Sequence, residues 1–96
     1  MAIIKVNASQ LKSTAENLRG MNTQFKSEIE QLTGCQQKLN GMWDGEANDK
    51  FNAAYQQDKG KMDQFAKVIE QYIATLEQIA ANYQQAESKS ASIAGH

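Results

Sequence analysis

Proline is absent from the 96 residues, and cysteine, histidine and tryptophan occur once each. With no proline, nothing fixes a kink or deletes a backbone donor, so long unbroken helices are open to this chain. The lone Cys35 can close no intramolecular disulfide and anchors no cysteine-based zinc set, and it reads as a small buried apolar residue. The one histidine, His96, is the last residue, where no serine, cysteine or carboxylate is placed for it to activate. No Gly-rich loop follows a strand to cradle phosphate. An enzyme is not expected, nor a cofactor or a metal.

Charge of one sign is lacking too. Ten Lys and Arg against eleven Asp and Glu leave a formal net charge of −1, with no basic run to track a phosphate backbone, so nucleic acid is not an expected partner. No stretch is long and apolar enough to span a membrane. The start, Met1-Ala2-Ile3-Ile4-Lys5-Val6, lacks the apolar run of about 7 to 15 residues that a signal peptide needs. If this protein leaves the cell, it does so by another route. Amphipathic helices that lie on membranes tend to carry Lys and Arg on the polar face; here that face is mainly Gln, Asn and mixed charge. Packing against other helices accounts for the apolar faces better, and no direct membrane insertion is expected.

What the chain does have is a seven-residue rhythm. Leu11, Leu18, Phe25, Leu32 and Leu39 form one apolar row, and Ala15, Asn22, Ile29, Gln36 and Trp43 its companion, the four-three spacing of a coiled-coil-like seam. Val6-Asn7-Ala8-Ser9-Gln10-Leu11 reads as a complete helix start, with Asn7 as cap, Gln10 closing a capping box, and Val6 and Leu11 as a hydrophobic staple. The same alternation returns in Tyr55, Asp58, Met62, Phe65, Ile69, Tyr72, Leu76, Ile79 and Tyr83, with Phe51 extending it toward the middle of the chain. Between the two patterns, Asn40-Gly41-Met42-Trp43-Asp44-Gly45 is the one break with clear turn chemistry.

The spacing therefore predicts an all-α fold, one antiparallel helix-turn-helix hairpin: a helix over 8–39, a bend over 40–45, a helix over 46–87 and a flexible tail over 88–96. Asn40 or Gly41 is expected to end the first helix in the left-handed conformation, and Asp44 to cap the second. Glu46 with Lys50 and Asp63 with Lys67 have the favourable acid-before-base order four residues apart. Folding at Trp43 sets Leu11 near Leu76, Leu18 near Ile69, Phe25 near Met62 and Leu32 near Tyr55. The stripes are wider than one neighbouring helix covers, and a second copy giving a four-helix bundle is the simplest cover.

Trp43 does not belong to the chemistry of a turn. Either it plugs the end of the core or it stands partly exposed as an aromatic anchor for a protein partner. Tyr83 has the same two readings. From Trp43 to Tyr83 is about forty residues, on the order of 60 Å of helix, so the two cannot cooperate within one chain. In an antiparallel dimer they could meet.

Trp43-Asp44-Gly45 in the bend, its Glu46-Ala47 continuation, and the later Tyr83-Gln84-Gln85-Ala86-Glu87 resemble the WXG family, the early-secreted-antigen-like proteins of type VII secretion systems, over nearly the whole chain. The resemblance implies a protein made in the bacterial cytoplasm and secreted as a folded dimer. It also implies a bipartite export signal read by the secretion ATPase, with Trp43 and Gly45 on one subunit and Tyr83 and Glu87 on the other. The partner would be a second copy or a paralogous hairpin. Family members often start the first helix with Ser or Thr followed by Pro, where this chain has Asn7-Ala8. Two alternatives stand beside this reading: an adaptor that escorts a larger secreted effector, and a cytosolic coiled-coil scaffold with an accidental Trp-x-Gly.

Overall fold

The helix start at Asn7 forms as its residues dictate. Asn7 Oδ1 accepts from the Gln10 N–H at 2.8 Å, Gln10 Oε1 accepts from the Asn7 N–H at 3.1 Å, and the Leu11 N–H already reaches the Asn7 carbonyl. From there α1 runs Ala8–Met42, and after a three-residue break α2 runs Glu46–Ala94. This is a computed structural model that describes residues 6–94, with side chains through residue 89. The two helices pack antiparallel into a rod of 77 × 25 × 19 Å.

Two boundaries and one capping residue differ from the sequence-based expectation. The first helix continues past Asn40 and Gly41 to Met42, because both residues accept right-handed helical geometry and the left-handed position falls instead at Gly45. The second helix starts at Glu46 with Gly45, not Asp44, in the cap position, and the Gly45 carbonyl accepts from the Asp49 N–H at 3.1 Å. That helix also continues beyond Glu87, since no glycine or proline intervenes before Gly95. Residues 95–96 of the expected tail lie outside the described residues.

The seam within the hairpin is not centred on the large residues. On α1 the buried row is Ala8, Ala15, Asn22, Ile29 and Gln36, and on α2 it is Ala66, Ile73 and Ala80, joined by Asn48 near the bend. Alanine at these positions lets the two backbones approach closely. Leu11, Leu18, Phe25, Tyr55, Met62, Ile69 and Leu76 are half-buried at its edge. Of the residues expected to pack, Leu32, Leu39, Phe51, Phe65, Tyr72 and Ile79 are exposed, Phe65 at 57% and Tyr72 at 61%. They turn away from the hairpin's own seam, because a wide stripe has room for one neighbour on its alanine side and a second on its bulky side. The Phe25 and Phe65 rings meet edge to face at 5.9 Å, so the leucine row of α1 and the aromatic row of α2 lie on one continuous face.

The cross-helix register follows the fold at the bend. Asn22 Nδ2 donates to the Ala66 carbonyl at 3.2 Å, and the hydroxyls of Thr33 and Tyr55 are 2.6 Å apart. Because Thr33 Oγ1 also hydrogen-bonds the Ile29 carbonyl, the Tyr55 hydroxyl is the donor between them. On the side away from the apolar face, Arg19 pairs with Glu77 and Lys26 with Glu70, one strut per seven residues. Glu46 pairs with Lys50 at 3.7 Å as expected, but Asp63 takes Lys59 at 2.9 Å in place of Lys67. Both neighbours lie one turn away, and exposed pairs of either order differ by only a few tenths of a kcal/mol.

The hydrogen bond from Lys26, with its charge, lowers the pKa of Glu70 below that of an ordinary glutamate. A depressed carboxylate adds stability that is complete above its unfolded-state pKa and is lost as pH falls through the lower folded-state value. Glu70→Gln should therefore flatten the acid limb of the stability–pH profile, with little change in its slope on the alkaline side, read by denaturant unfolding at successive pH values.

Candidate functional site

Only residues 43–45 separate the helices. Trp43 is extended (φ −134°, ψ 110°) and Gly45 has φ +115°, a conformation that strains any residue with a Cβ. A Cβ built on Gly45 meets nothing within 4 Å, so glycine is needed there for the backbone and not for space. The indole of Trp43 leans on Phe51, ring centroids 6.0 Å apart and planes at 48°, and stays 39% exposed. With the exposed Met42 preceding it, the tip of the rod presents an apolar, partly aromatic patch. Of the two roles open to Trp43 from spacing, burial as a plug is not what is observed.

At the opposite end, Tyr83 is 46% exposed and Glu87, one turn further on the same side of α2, is exposed. Glu87 Oε1 accepts from the Ala8 N–H at 3.3 Å. The first turn of α1 has orphan donors, and the accounting is short: Asn7 takes the N–H of Gln10, and Glu87 takes that of Ala8. A carboxylate is favoured at a helix N-terminus by the positive end of the macrodipole. The four residues singled out in the sequence thus fall into two pairs at the two ends of the 77 Å rod. One chain does not bring Trp43 and Gly45 to Tyr83 and Glu87.

A group of residues beside the bend was not anticipated. Asn40 Oδ1 accepts from Asn48 Nδ2 at 3.0 Å and from Asn52 Nδ2 at 2.7 Å, and Gln36 Nε2 donates to Asn52 Oδ1. Four amides on two helices form one chain of hydrogen bonds around the bend. The sequence offers a trace of it, an uncharged amide at each of these positions, but which partners meet depends on the helix crossing.

Cys35, expected as a small buried residue, is instead exposed. Among the described residues, no three of His, Cys, Asp and Glu gather as metal ligands. A groove of about 580 Å³ lies on the charged face, lined among others by Lys26, Thr33, Gly34, Lys59, Asp63 and Glu70. Its Lys26–Glu70 and Lys59–Asp63 pairs neutralise one another. No helix of the described residues is long and apolar enough to cross a membrane.

Comparison with known proteins agrees with this geometry. Residues 3–88 match the family described as proteins of 100 residues with WXG, WXG100. The chain is 25% identical over 71 residues to the type VII secretion system extracellular protein A of Staphylococcus aureus strain USA300, a span of 74% of this chain and 73% of that relative. It is similar in structure to the secreted protein EsxB of Bacillus anthracis str. Sterne, with a TM-score of 0.80 and 29% identity over 91% of this chain and 99% of that one. The wild-type EsxB structure in space group P21 superposes with a TM-score of 0.78 and 30% identity, over 88% of this chain and 97% of that one.

Proposed function

The chain belongs to the WXG100 family, and from that premise we propose that it is a small non-enzymatic protein exported by a type VII secretion system as a dimer of helical hairpins. Trp43 and Gly45 of one subunit and Tyr83 and Glu87 of the other form the export signal, and the ATPase of the secretion machine reads it. The observation that carries this reading is the separation of the two pairs at opposite ends of a 77 Å rod. An antiparallel dimer places the tip of one hairpin beside the far end of the other and builds the composite surface twice by symmetry.

The exposed face supports the dimer. Leu32, Leu39, Phe65, Tyr72 and Ile79 lie outside the hairpin's own seam, and rows of large apolar side chains at seven-residue spacing are what a second hairpin would cover. A second copy is the simplest occupant; a paralogous hairpin has the same chemistry.

The decisive test is genetic. Deleting the secretion ATPase in the native host should remove the protein from the culture medium while it accumulates in the cells, with a cytosolic marker controlling for lysis. Undiminished protein in the medium would end the proposal and favour a scaffold released in some other way. Recovery of a larger secreted protein with the hairpin, from the same cells, would identify it as an escorting adaptor.

A further inference from the structure

We infer that Asn40, Asn48 and Asn52 are positioning residues of the bend, holding Trp43 and Gly45 in the single presentation that a partner reads. The inference rests on the proposed role of Trp43 and asks what keeps that side chain in place.

The bend has few other means of support. The last turn of α1 holds no basic residue, and its C-cap, Trp43, is extended and not left-handed, so the terminal carbonyls have none of the usual capping partners. Gly45 adds the most permissive backbone in the protein next to it. A helix end with neither cap frays, and a fraying turn would carry Met42 and Trp43 with it.

The amides supply the missing tie. Asn40 stands three residues before Trp43 and Asn48 three after Gly45, so their hydrogen bond at 3.0 Å closes a ring around the bend. Asn52, one turn beyond Asn48, donates to the same Asn40 oxygen at 2.7 Å and receives from Gln36, one turn before Asn40. The brace thus reaches one turn into each helix. Phe51, on which the indole rests, is flanked in sequence by this group and is carried on the same turn as Asn48 and Asn52.

Asn48 also indicates that geometry is what the group provides. It is 4% exposed, and its Oδ1 has no partner among the described residues. A buried amide with an unfilled acceptor is a poor choice for stability. An alanine in that layer would continue the row of Ala66, Ile73 and Ala80. Asn48 donates to Asn40 where that alanine could not, which fixes the end of α1 against the start of α2.

Asn40 accepts twice through one oxygen, and none of the bonds seen here uses its Nδ2 as donor. An aspartate at this place keeps the acceptor and an alanine deletes it, so the two substitutions separate the bond from the bulk. Asn40→Ala should remain a folded dimer by circular dichroism and light scattering and lose about thirtyfold in export, the worth of two net hydrogen bonds. Asn40→Asp should restore export to the wild-type level. The single tryptophan gives a second readout that needs no secretion: its emission should move to the red, and its anisotropy fall, in Asn40→Ala but not in Asn40→Asp. Wild-type export and unchanged emission in Asn40→Ala would overturn the inference, as would failure of Asn40→Asp to rescue either. Trp43→Ala, run in parallel, keeps the two proposals apart. If that variant is exported normally, the assignment of Trp43 fails and the positioning role falls with it. If it is blocked while Asn40→Ala is exported normally, only the positioning role fails.

Discussion

Trp43→Ala should leave a helical dimer in solution and remove the protein from the culture medium. The first half follows from position. Trp43 belongs to neither helix, is 39% exposed, and makes its one aromatic contact with Phe51, itself at the surface. Little buried area is lost, so thermal and denaturant midpoints should stay close to wild type. The second half follows from the proposed recognition. A tryptophan that anchors an interface costs about 2 kcal/mol or more when truncated, a weakening of roughly thirtyfold or more. Export measured in medium and cell fractions should therefore fall below detection while the intracellular pool rises. A variant that is exported at the wild-type level, or one that fails to accumulate as folded protein, would contradict one half or the other.

Leu32→Asp and Phe65→Asp should each convert the proposed dimer into a monomer without unfolding the hairpin. Both side chains are exposed within one chain, so a carboxylate there stays hydrated while the hairpin is alone. Trapped between two copies, it costs about 2 kcal/mol or more. Two-fold symmetry buries it twice, and the dimer weakens by roughly a thousandfold. Sedimentation at a series of concentrations should show this shift with the helical circular dichroism signal retained. Ile73→Asp is the contrast: Ile73 is buried in the hairpin's own seam, and a carboxylate there should unfold the chain itself. If Phe65→Asp sediments as the wild type does, the apolar face is covered by something other than a second hairpin.

Much of this architecture is legible in the residues. The helix start at Asn7 and Gln10 needs four neighbouring residues and no tertiary context, and both of its reciprocal hydrogen bonds are formed. The two long apolar rhythms on either side of Trp43 specify a hairpin, and the first helix opens where the cap places it. The orientation of the seam was less accessible. Spacing defines a stripe but not its centre, and large residues dominate such a reading, whereas the close-packed side is the one with Ala15, Ala66 and Ala80. The exit from α1 is hidden from local sequence for a related reason. Asn40 and Gly41 permit a left-handed turn without requiring it, and Asn40 is engaged by Asn48 and Asn52 across the bend. Such partners are eight and twelve residues away, beyond any local rule. The contact between Glu87 and Ala8 spans 79 positions and lies further still from local pattern.

The alanine seam has a thermodynamic consequence. A methyl group buries little area, so the alanine layers between α1 and α2 each contribute modestly, while Leu32, Phe65 and Tyr72 leave much of their apolar surface outside the hairpin. In the proposed dimer, covering that surface would add to the stability of each folded hairpin, and mass action would govern the addition. Dilution would then lower the unfolding midpoint only as far as that of the lone hairpin, which stays folded.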